Sequence, residues 1–77
     1  MYQRLIEEYL SHYHPSRKAD LLRQGMWQQT IESQNQSMLE ARLRILDEMR
    51  TMSPLTSQLQ IELETDQQIL ELFLPLP

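Results

Sequence analysis

The sequence predicts an all-α protein: a short N-terminal helix, a long central helix and one or two short C-terminal helices. Three observations predict it. Apolar residues recur at three- and four-residue spacings along most of the chain. The helix formers Gln, Glu, Leu, Arg, Met and Ala fill the stretches between prolines. There is one glycine among 77 residues, too few for the tight turns of a β-sandwich or barrel. The same scarcity removes glycine-rich phosphate loops and dinucleotide fingerprints.

The first helix is expected over about residues 2–13. Tyr2, Leu5, Ile6, Tyr9, Leu10 and Tyr13 fall on one face, with Gln3, Arg4, Glu7, Glu8 and Ser11 opposite. Pro15 ends it, because the residue before a proline is pushed out of the helical region. His14, Pro15 and Ser16 then form the turn, with Ser16 as the next N-cap.

The long helix is expected over about 17–52, a stretch without proline. Gly25 costs roughly 1 kcal/mol against alanine there but does not by itself force a break. An unbroken helix of this length is a rod of ~50 Å. The short flanks cannot cover such a rod, so it has to pack against another long helix. A heptad-like seam exists for this: Trp27, Ile31, Gln34, Met38, Ala41, Ile45 and Met52, interrupted by Glu48 and widened by Leu39, Leu43 and Leu46. The reading is a coiled-coil-like helical hairpin that oligomerises. Residues 28–36 are strongly polar. They are either a register-fixing polar patch in the seam, with Gln34 inside it, or plain solvated helix.

The C-terminal segment is expected to be helical over about 54–74, with Ser53 as cap and Pro54 as first helical residue. Leu55, Leu59, Leu63, Leu70 and Leu74 lie near one helical stripe. Residues 59–64 also alternate strictly, which fits a strand, and Thr65, Asp66 and Gln67 would then be a hairpin turn. Helix is favoured, because β-branched residues are few. Thr65 or Asp66 is a place where the segment could divide in two. The apolar tail 72–77 either folds back onto the helices or docks on another chain.

Composition limits the chemistry. The chain reads as one small domain, and domains of this size need help to stay folded. With no cysteine, disulfides, zinc ribbons and thiol chemistry are unavailable, and a reducing, cytoplasmic location fits. The amphipathic start is no signal peptide, and the apolar run 72–76 is far too short to span a bilayer. The net charge is −4, and all of it resides in residues 53–77, where Glu62, Glu64, Asp66 and Glu71 meet no basic residue. Such a tail repels phosphate.

Candidate sites are few. Glu8, His12 and His14 form a loose cluster one ligand short of a metal site, and no cofactor is expected. Nothing sets a nucleophile beside a base, so no enzyme is expected. Arg42, Arg44 and Arg50 alternate with Glu40, Asp47 and Glu48 as a mixed-charge face, with Glu40 and Arg44 as a helical salt pair. Arg17, Lys18 and Arg23 form the one basic stretch; an anion, an acidic partner or the chain's own acidic segment is its expected contact. The interface residues expected are Tyr9, Trp27, Ile31, Met38, Leu39, Leu43, Ile45, Leu46 and Phe73, with Trp27 as anchor.

In size, acidity and helical content the chain is similar in type to small adaptor or chaperone-like proteins, a likeness carried by no motif. The function expected is a non-enzymatic protein–protein interaction module that associates with itself, as a homodimer or larger, without membrane or nucleic acid. The alternative is a small DNA- or RNA-binding regulator using the basic turn at 17–23. Its net charge opposes that, since such domains are mostly basic.

Overall fold

The computed structural model describes residues 1–52 and 55–76. They form four helices and no strand: α1 (Gln3–Tyr13), α2 (Pro15–Arg23), α3 (Trp27–Met52) and α4 (Gln58–Phe73). The chain divides into two units, Met1–Ser37 and Met38–Leu76. Helix α3 contributes residues 27–37 to the first and 38–52 to the second.

In the first unit, Tyr2, Ile6 and Ile31 are buried. Tyr2 and Ile6 come from the face predicted for the first helix. The boundary between α1 and α2 differs from the expectation. Pro15 opens α2 rather than standing in a turn, and Ser16 is not its cap. The ring fixes φ near the helical value, and its missing N–H falls where no helical partner exists, so the first helical position suits it. One residue, His14, is both the C-cap of α1 and the N-cap of α2.

The expected continuous helix over 17–52 is two helices. Gly25 takes φ +67°, in the left-handed region. Its N–H donates to the Leu22 carbonyl at 3.2 Å, and the Met26 N–H donates to the Leu21 carbonyl at 2.8 Å. These two bonds are the Schellman arrangement, which satisfies the last carbonyls of a helix at the moment the chain turns away. The small propensity cost of glycine is therefore the wrong measure. What decides is that glycine alone reaches this backbone conformation without strain. At 26 residues, α3 is ~39 Å long rather than ~50 Å.

In the second unit, Met38, Ala41, Leu46, Ile61, Thr65 and Ile69 are buried. Segment 59–64 is helix, not strand, and α4 runs through Thr65 and Asp66 without dividing. The expected cap at Ser53 and start at Pro54 lie outside the described residues. Helix α4 begins instead after Ser57, whose extended backbone (φ −64°, ψ 150°) lets Oγ accept from the Gln60 N–H at 3.2 Å. That satisfies one of the amides left unpaired at a helix start.

Candidate interaction surfaces

The first unit is organised around polar and aromatic contacts. The buried side chain of Asn35 on α3 accepts the Tyr2 N–H at 2.8 Å through Oδ1. Tyr2 is the N-cap of α1 and supplies no side-chain cap of its own. The N-cap residue's own N–H is instead satisfied by a side-chain amide 33 residues away in sequence. Within the polar stretch 28–36, Asn35 is the buried polar residue, and Thr30 and Gln34 are half-buried. Asparagine at mid-helix normally reads as solvated, so sequence reasoning passed over it.

Tyr9 is half-buried, with its ring 5.2 Å from Tyr13 and 5.3 Å from His14. His12 meets Tyr13 edge-on at 4.6 Å. These imidazoles are neighbours of tyrosines rather than of Glu8, whose carboxylate takes the Arg4 Nε at 3.0 Å. Among the described residues, no group of three His, Asp or Glu side chains is placed to hold a metal ion.

The three basic residues of 17–23 do not act as one patch. Arg23 pairs with Asp20 one turn earlier. Lys18 donates to Ser11 Oγ at 2.9 Å and lies 5.4 Å from the centre of the Trp27 ring. Arg17 is exposed and lines a shallow, mostly polar groove of about 300 Å³ with Met26, Gln29, Thr30, Ser33 and Gln34. Within the second unit, Arg42 Nε donates to Asp66 Oδ1 at 2.9 Å. Trp27, the expected anchor, is half-buried under Lys18.

In the second unit the expected interface residues separate. Met38 and Leu46 are buried, so they serve the unit's own core. Leu39, Ile45 and Phe73 are half-buried. Leu43 is 68% exposed. Ile31, in the first unit, is wholly buried as well.

Helix α4 has two apolar faces. The inner face carries Ile61, Thr65 and Ile69, at successive four-residue steps. Thr65 Oγ1 donates to the Ile61 carbonyl at 2.7 Å and lies 3.2 Å from Met49 Sδ, so its hydroxyl is satisfied in the core. With Arg42 on Asp66, these contacts turn this side of α4 toward α3. The leucine stripe expected from the sequence is on the other side. Leu59 and Leu63 are 66% and 58% exposed, Leu70 and Leu74 are half-buried, and Leu55 lies in the open before the helix. At 3.6 residues per turn, Leu59, Leu63, Leu70 and Leu74 share an arc of about 60°, centred about 150° from the inner face. The stripe ends in a groove of about 360 Å³ lined by Gln67, Leu70, Glu71, Leu74, Pro75 and Leu76. The tail therefore forms a wall of this groove as far as Leu76.

No helix among the described residues is long and apolar enough to cross a membrane. No protein-family model, curated protein or solved structure matches the chain.

Proposed function

We propose that the protein is a non-enzymatic protein–protein interaction module that works through exposed helical faces, and that one of its partners is a second copy of itself. The observation that carries this reading is the apolar surface left outside a 9.3 kDa chain. Leu43 on α3 and Leu59 and Leu63 on α4 are each more than half exposed. Single exposed leucines are ordinary, but leucines repeated at one helical turn make a contiguous patch, and such patches mark binding surfaces.

Chemistry has less support. The two grooves described offer Arg17 with Thr30 and Ser33 in one, and Glu71 with leucines in the other. Neither joins a nucleophile to a base. The basic turn lends little to a nucleic-acid reading, since Lys18 and Arg23 already have partners.

Self-association is assigned to α3, where Leu39 and Leu43 are neighbours one turn apart. Light scattering on the eluting protein tests it. The expected mass is a multiple of 9.3 kDa that falls to the monomer in Leu43→Asp. A monomer at every concentration removes self-association. Co-purification from the native source, with nuclease treatment and mass spectrometry, then separates an adaptor with another partner from a nucleic-acid binder.

A further inference from the structure

We propose that the outer leucine face of α4 is the docking surface for a basic amphipathic helix on a different protein. This deepens the interaction reading above and rests on it.

The charges around the stripe decide the occupant. Glu64 and Glu71 follow one edge of the leucine arc, and Glu62 and Asp66 follow the other; α4 has no lysine or arginine. Asp66 is answered by Arg42. The other three carboxylates accept from glutamines one turn before them: Glu62 from Gln58 at 3.1 Å, Glu64 from Gln60 at 2.7 Å and Glu71 from Gln67 at 3.3 Å. A glutamine amide holds a carboxylate in place without cancelling its charge. None of these three glutamates forms an ion pair among the described residues.

The face is therefore an apolar strip between fixed negative rims. A helix laid into it gains burial from anchors spaced one turn apart, and charge complementarity from lysines or arginines beside those anchors. The groove at Leu70, Leu74, Pro75 and Leu76 continues the strip and has room for one large terminal anchor.

A second copy suits this face poorly. Its own α4 brings the same carboxylates against these, and like charges at a contact exclude a partner. Four of the chain's seven cations are already engaged: Arg4 by Glu8, Arg23 by Asp20, Arg42 by Asp66, and Lys18 by Ser11 and the Trp27 ring. A separate protein that carries lysines or arginines beside its apolar anchors supplies the positive charge that matches α4.

The test uses the full chain and three labelled peptides of about eighteen residues, some five helical turns. One places leucines on a single face with lysines beside them. The second has the same leucines with glutamates in place of lysines. The third has the composition of the first, scrambled so that the leucines share no face. Fluorescence anisotropy reads binding, and light scattering on the same samples reads the protein's mass.

The expected result is binding of the first peptide at least about tenfold tighter than of either control. Salt should weaken it several-fold, because the rims are exposed. Leu63→Asp should abolish it with the helix content unchanged, and the double variant Glu64→Gln, Glu71→Gln should weaken it about fivefold. Equal binding of the scrambled lysine peptide, or of the glutamate peptide, overturns the proposal. So does a Leu63→Asp variant that loses oligomer mass, which would make a second copy the occupant. A chain that still self-associates through Leu43 but takes up no peptide defeats this inference and leaves the interaction reading standing. A monomer that binds nothing defeats both.

Discussion

The two units of this chain handle their polar groups in opposite ways. In the first, Met1–Ser37, polar groups are turned to structural use: Asn35 takes the Tyr2 N–H, Lys18 bridges Ser11 and the Trp27 ring, and acids and bases pair. In the second, Met38–Leu76, the core is aliphatic apart from Thr65. Asp66 on α4 pairs with Arg42, but Glu62, Glu64 and Glu71 are held by glutamine amides and left charged, beside leucines left outside. The first unit spends its functional groups on holding its helices; the second keeps its own on the surface.

The comparison breaks most readily at the buried isoleucines. Ile69→Ala and Ile31→Ala should each cost about 3 kcal/mol, read from urea unfolding, because both are wholly buried and a cavity remains. A loss below about 1 kcal/mol at either site would mean that its unit lacks the core described here. Next comes Asn35→Leu, which removes the acceptor of the Tyr2 N–H and should cost about 1–2 kcal/mol. Asn35→Asp, which keeps an acceptor, should stay within about 0.5 kcal/mol; equal losses would refute the capping role. Arg42→Met should cost about 0.5–1 kcal/mol, since its pair with Asp66 is only part-buried, and the loss should shrink as salt is added. The smallest effect is expected at Leu63→Ala. Two residues from buried Ile61, it should move stability by no more than about 0.5 kcal/mol. A loss there equal to that of Ile69→Ala would put the leucine stripe in the core.

The helical class was legible from the repeat of apolar residues at helical spacing, and of the face predicted for the first helix Tyr2 and Ile6 are buried while Leu5 and Tyr13 are exposed. The faces of α4 were not legible, because both are periodic. The leucine stripe and the Ile61–Thr65–Ile69 stripe satisfy the same spacing, and hydropathy favours the leucines. What reverses the choice is a hydroxyl that bonds its own helix at the Ile61 carbonyl, leaving Thr65 apolar enough to bury. Asn35 was illegible for a different reason: its partner amide is remote in the chain, and mid-helix asparagine carries no signal of its own. The break at Gly25 did carry one. A basic residue, Arg23, closes the last turn, and glycine stands just past the C-cap Gln24, which together mark a helix end.

Gly25 has a consequence beyond the bend it makes. A Cβ built there would meet no atom within 4 Å beyond its immediate chain neighbours, so room is not what excludes other residues. Backbone handedness is. Substitutions at this position should rank by torsional preference and not by bulk, asparagine ahead of alanine and alanine ahead of valine. A D-alanine, for which a positive φ is the ordinary choice, should be accepted where its mirror image is not. The corner between α2 and α3 is in effect a chirality filter, one stereocentre wide, in a stretch otherwise composed as a single helix.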